Sequence, residues 1–192
     1  SFAGLAGQRV SLKLSGVTIG TSTCCSARVS IQKPDGSALV TPTLFGRNGS
    51  FVDAKLLPAS GTYTILVDPQ GADVGSATLQ LYDVAPDLTG SLTVGGAPAS
   101  LTFSTPGQNA ALTFAGAAGQ RVSIRATGVT VGSSTCCSVS MLIRKPDGAA
   151  LASGLAGTSG GTLSTTLPVA GTYVLAVDPQ AAGTGGLAVA LQ

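Results

Sequence analysis

The stretch that decides the fold is Gly16-Val-Thr-Ile-Gly-Thr-Ser-Thr-Cys24-Cys25-Ser-Ala-Arg-Val-Ser-Ile-Gln-Lys-Pro34-Asp35-Gly36. It returns as Gly128-Val-Thr-Val-Gly-Ser-Ser-Thr-Cys136-Cys137-Ser-Val-Ser-Met-Leu-Ile-Arg-Lys-Pro146-Asp147-Gly148. Its second half alternates, with Val29 and Ile31 on one side and Arg28, Ser30 and Gln32 on the other. A period of two marks a strand with one buried face. Carried backward, that phase turns Cys25 inward and Cys24 outward, and Cys137, Val139, Met141 and Ile143 keep the same register. The strand then closes in Lys33-Pro34-Asp35-Gly36. This reads as a tight turn, because Pro presets φ at the second position and Gly accepts a positive φ.

Working outward, Gln8 and Gln120 stand 112 positions apart (120 − 8), as do Cys24 and Cys136. Over Phe2–Gly36 against Phe114–Gly148, 23 of 35 positions are identical. The offset then falls to 110, with Tyr63 matching Tyr173 (173 − 63) and Asp68 matching Asp178. Ser1 matches Thr113 and Gln192 matches Tyr82, so Asp83–Leu112 occurs once. This phase reads as a window of a longer repeat array. It places the first repeat at residues 1–86, short of its own preceding strands. The second takes residues 87–192 with its own preceding strands and lacks its following ones.

Other segments repeat the strand grammar. Val10, Leu12 and Leu14 alternate with Ser11, Lys13 and Ser15, and Val122 and Ile124 echo them. After Leu57-Pro58-Ala59-Ser60-Gly61-Thr62, the residues Tyr63, Ile65 and Val67 share a face, matched by Tyr173, Leu175 and Val177. A Tyr just past a Gly turn at a strand start resembles the tyrosine corner of Greek-key sandwiches. Leu79 and Leu81 form a last core strand, matched by Val189 and Leu191. The single-copy stretch reads as strands at Leu88–Val94, Ser100–Phe103 and Ala111–Phe114. No window keeps a 3.6-residue period over ten residues. Short strands with frequent turns predict an all-β chain of two tandem jelly-roll or Greek-key-like β-sandwich domains.

Composition narrows the function. Hydrophobic residues make up 44% and charged residues only 9%, against about 25% charged in a typical globular chain. The six Arg and four Lys are scattered and the net charge is +2, which leaves no basic footprint for nucleic acid. Gly, Ser and Thr interrupt every apolar run well short of the roughly 18 residues of a spanning helix, so membrane insertion is not expected. The chain has no His and no Glu, the usual general bases, so Ser–His and Cys–His pairs are out of reach and no enzyme is expected.

The order Phe-Ala-Gly-x-Ala-Gly-Gln-Arg-Val, a Cys-bearing loop, Lys-Pro-Asp-Gly, then Leu-Pro-x-x-Gly-Thr-Tyr and a strand ending in Asp resembles bacterial pre-peptidase C-terminal domains. It covers about residues 2–82 and 102–192. The resemblance implies a jelly-roll-like sandwich, extracellular placement and non-catalytic accessory or stalk duty. Some relatives bind carbohydrate or calcium. The chain departs from that pattern in its Cys-Cys pairs and in lacking Trp and acidic clusters.

Candidate sites follow. Cys24, Cys25, Cys136 and Cys137 allow three connectivities. Three states stay open: vicinal disulfides, free thiols, or bridges between copies or chains. Adjacent Cα atoms sit about 3.8 Å apart, under the usual disulfide range of roughly 4.4–6.8 Å, so a vicinal ring is strained but would lock a turn. Zinc is excluded, because the pairs have no two-residue spacer and no His completes a shell. Asp35 and Asp147, with Pro34, Gly36, Pro146 and Gly148, organise turns, and Tyr63 and Tyr173 anchor corners. Asp68 and Asp73 are weak calcium candidates, since the second copy loses the second acid at Gly183. No cofactor is expected. Phe45 and Phe51 are the only aromatic residues outside core phase, the minimum for a sugar platform. The expected role is a structural repeat of a stalk, fibre or surface protein, with homotypic partners and strand addition between repeats. A carbohydrate- or peptide-binding accessory module of a secreted hydrolase is the alternative.

Overall fold

The computed structural model describes residues 1–192 and contains strands but no helix. The chain divides into two compact units, Ser1–Val84 and Ala85–Gln192. The first unit holds β1 (Phe2–Gly4), β2 (Arg9–Ser15), β3 (Ala27–Gln32), β4 (Ala38–Phe45), β5 (Ser50–Leu56), β6 (Gly61–Pro69) and β7 (Thr78–Asp83). The second begins with β8 (Leu88–Ser91), β9 (Ala99–Phe103) and β10 (Ala110–Gly116). It continues with β11 (Arg121–Thr127), β12 (Val139–Arg144), β13 (Ala150–Ala156), β14 (Gly161–Thr166), β15 (Gly171–Pro179) and β16 (Gly185–Leu191).

Within the first unit the sheets run β1-β6-β3-β4 and β5-β2-β7. In the second the orders are β13-β12-β15-β10-β8 and β14-β11-β16-β9. Strands β10 to β16 reproduce β1 to β7 in topology, and the second unit adds β8 and β9 at two sheet edges. The β8–β10 pair is parallel, whereas every other paired strand is antiparallel. Both units are β-sandwiches.

The alternation read from sequence sets each core. Val10, Leu12 and Leu14 of β2 meet Val29 and Ile31 of β3 and Tyr63 of β6 in one cluster. Ile124, Met141, Ile143, Tyr173, Leu175 and Val189 do so in the other. Fully burying one such side chain contributes about 1.5–3 kcal/mol before conformational entropy is charged against it. Val17 and Ile19 stay buried although the chain leaves the sheet at Gly16, where φ is +57°.

Two expectations are corrected. Leu79 is 39% exposed, not core, while its counterpart Val189 is fully buried. The cause is that nothing pairs with the outer edge of β7, whereas β9 covers β16. Phe45 is buried at 1% exposure, since the last residue of β4 pairs with Ala27 and packs into the core.

The tyrosine corners are present in both units. Tyr63 Oη donates to the Ala59 carbonyl and Tyr173 Oη to the Val169 carbonyl, both at 2.7 Å, with the rings fully buried. Phe2 stacks on Tyr63 and Phe114 on Tyr173, with centroids 5.4 and 5.5 Å apart. Gly4 and Gly116 allow this approach, because a Cβ there would collide with Leu57 or Leu167. Tyr173→Phe keeps the ring and removes the anchor. It should lower the stability of the second unit by about 0.5–1.5 kcal/mol, measured as a shift in the urea midpoint with an unchanged slope.

Candidate functional site

The cysteine pairs sit in matched loops at one end of each sandwich. Cys24 is bonded to Cys25, and Cys136 to Cys137. All four are exposed, so the inward placement of Cys25 and Cys137 does not hold. Alternation ends where β3 and β12 begin, because Ser26 and Ser138 occupy the last buried places ahead of the strands. Their amides donate to the carbonyls of Phe45 and Ala156 at 2.9 Å, and their hydroxyls donate back to Ser22 and Ser134. These turns lift the preceding cysteines off the sheet.

Ser22 and Ser134 organise the loop from within. The Ser22 hydroxyl accepts from the amides of Cys24 and Cys25 at 3.3 and 3.1 Å. Ser134 accepts from Cys136 and Cys137 at 3.4 and 3.1 Å. A short polar side chain two and three residues ahead of the amides it caps is a local turn device. The loop also lies against a hairpin end: Arg47 N donates to Ser22 O, and Thr158 N to Ser134 O, both at 3.0 Å. Gly46 and Gly157 make room, because a Cβ there would collide with the backbone of Ser22–Cys24 or Ser134–Cys136. The reading of the chain alone missed both serines and both glycines. The signal was present as Ser-Thr-Cys-Cys and Gly-x-x-Gly, repeated in both copies.

The Pro-Asp-Gly turns form as expected in shape. Gly36 N donates to Lys33 O at 2.9 Å and Gly148 N to Lys145 O at 2.8 Å, with φ of +81° and +83° at the glycines. Pro34 packs against Gly61 and Pro146 against Gly171, each at the start of the tyrosine-bearing strand. The Ser37 hydroxyl and amide donate to Asp35 at 2.6 and 2.9 Å and hold its carboxyl below the ordinary value of 3.8. Asp147 is lowered first by the Ala149 amide and then by Lys145 Nζ at 2.9 Å. Bonds to the charged form depress a carboxyl pKa. The turn contribution from either group is thus present above 3.8 and is lost as pH falls through the lowered value.

Asp68 stands opposite Arg28 in the β3–β6 register, and Asp73 lies beside Gly20 in the loop after β6. No three His, Cys, Asp or Glu side chains gather anywhere in the chain. On the outer face of β3, β4 and β6 lies a groove of about 470 Å³, lined by Arg28, Ser30, Gln32, Pro42, Leu66, Val67 and Asp68. In the second unit Ser140, Leu142 and Arg144 take the places of Arg28, Ser30 and Gln32, and Ala176 that of Leu66. The groove's chemistry is not repeated. Phe51 is half-buried on β5 and is not part of it.

No family model and no curated protein matches the chain. Among solved structures it is similar to PliG of Aeromonas hydrophila, a periplasmic lysozyme inhibitor of g-type lysozyme. The identity is 19% over 56% of this chain and 100% of that one, with a TM-score of 0.39. It is also similar to the CUB1-EGF-CUB2 domain of human MASP-1/3, at 11% identity over 99% of this chain and 91% of that one, with a TM-score of 0.27.

Two outcomes follow from these loops and turns. Alkylation of the unfolded chain should add no label without reductant and four after reduction, read by intact mass. A carboxyl NMR titration should place Asp35 and Asp147 below 3.8, and Ser37→Ala should move Asp35 alone back towards it.

Proposed function

We propose that this chain is a non-catalytic, extracellular β-sandwich module serving as a structural repeat of a stalk, fibre or cell-surface protein. Strands of one repeat are added to the sheets of the next. The observation that carries this reading is what the two units share. The corner tyrosines, the Pro-Asp-Gly turns, the serine-capped cysteine loops and the close-approach glycines recur residue by residue. The polar groove on the first unit does not. Duplication that keeps the scaffold and lets this groove change is what a spacer needs. The vicinal cysteines then act as loop clamps, suited to an oxidising compartment. In this reading the units are of the pre-peptidase C-terminal kind, and calcium is not required by Asp68 and Asp73.

The groove favours a second reading, a carbohydrate- or peptide-binding accessory module. Arg28, Gln32 and Asp68 offer donors and acceptors beside the 42% exposed Leu66. A glycan array separates the two. The spacer should be silent on it. A saturable glycan signal lost in Arg28→Ala overturns the structural reading and supports the binding module.

A further inference from the structure

The two units carry the same seven strands, yet their edges differ. In the second unit β10 pairs with β15 over its whole length, Ala110–Gly116 against Val177–Gly171. In the first, β1 reaches β6 only at Gly61, Thr62 and Tyr63. The side of β6 that β10 would cover therefore lies open at Ile65, Leu66 and Val67. On the other sheet, β9 pairs with β16 from Ala99↔Val189 to Phe103↔Gly185. The equivalent side of β7 has no partner in the first unit. The apolar side chains report the same difference. Leu175, Val177 and Val189 are fully buried, whereas Ile65 and Val67 are half-buried and Leu79 is 39% exposed. An edge with free backbone groups beside apolar side chains is a template for a further strand.

We propose that this open side of the first unit is a strand-acceptor groove, filled by a connector with the pattern of Ala85–Leu112 that runs directly into β1. The second unit supplies the template in register. Leu101, 5% exposed, would lie beside Ala77, Phe103, 1% exposed, beside Gly75, and Leu112, 1% exposed, beside Ile65. The backbone is already set to receive it: Gly75 and Gly185 hold matching φ of +147° and +131°, each against the backbone of the loop at Thr18 or Thr130. A second copy of this chain is the poorer donor, because its own connector is seated in its second unit. A connector joined to β1 also acts at the high effective concentration of a tether. The inference deepens the structural-repeat reading by naming the donor strands, and the glycan array reads out separately from the test below.

The test fuses a second copy of residues 85–112 ahead of Ser1 of the full chain and follows amide hydrogen exchange by residue. In the unfused chain Ile65–Val67 and Thr78–Leu81 should exchange faster than Leu175–Val177 and Ala188–Leu191. The fusion should slow them by about tenfold or more and raise the melting transition of the first unit. The same fusion with Leu101→Ser, Phe103→Ser and Leu112→Ser in the added segment alone should give neither effect. Unchanged exchange in the fused chain overturns the proposal. So does protection in the unfused chain that grows with concentration and tracks a sedimentation shift, which would assign the groove to pairing between copies.

Discussion

Each unit depends on the pairing of its two central strands, β3 with β6 and β12 with β15. Their inward side chains, Val29, Ile31 and Tyr63 in one unit and Met141, Ile143, Tyr173, Leu175 and Val177 in the other, form the middle of the core. The remaining devices hold the ends of that pair. The cysteine loop delivers the chain into β3 and the Pro-Asp-Gly turn carries it out. The tyrosine corner starts β6. Turn and corner are physically joined, since Pro34 rests on Gly61 and Pro146 on Gly171. A residue with a side chain at Gly61 would push the turn away and strain a backbone at φ +148°.

Seen this way, the cysteine pairs are a local matter of backbone geometry. Their loops are held from three directions: by the serine hydroxyl within the loop, by the buried serine ahead of the strand, and by the hairpin end that carries Gly46 or Gly157. None of these contacts brings a base, an acid cluster or a third sulfur near the cysteines. The neighbours of each loop are mostly main chain. Close main-chain packing of that kind tolerates few substitutions, which accounts for the density of identical residues in this block.

Much of the fold was legible beforehand because the relevant signals are local. Period-two alternation identified β2, β3, β6 and their counterparts, and Lys-Pro-Asp-Gly marked its turn. The failures share one cause. Extending the strand phase across Ser26 turns Cys25 inward, although the chain there has already turned so that the Ser26 hydroxyl donates to the Ser22 carbonyl. The pattern alone puts Leu79 in the core, although burial of an edge strand requires a neighbour that comes from elsewhere in the chain. Phe45 falls outside core phase in the sequence because β4 alternates weakly, with its residues mostly exposed up to the buried Phe45. The groove around Arg28 and Asp68 was invisible, since it joins three strands whose adjacency is set by topology.

The sequence by itself determined the duplication, the all-β class, the turns and the inventory of side chains from which chemistry could be built. These depend on residue type and short spacing, and they survive without knowing which strand lies beside which. Only the tertiary structure decided that β8 pairs with β10 and β9 with β16, that the cysteines face solvent, and that Ser22 and Gly46 meet at their loop. Those outcomes rest on hydrogen bonding and close approach between segments tens of residues apart. Backbone groups at a sheet edge have the same chemistry in both units, and what distinguishes them is whether another strand arrives to pair with them.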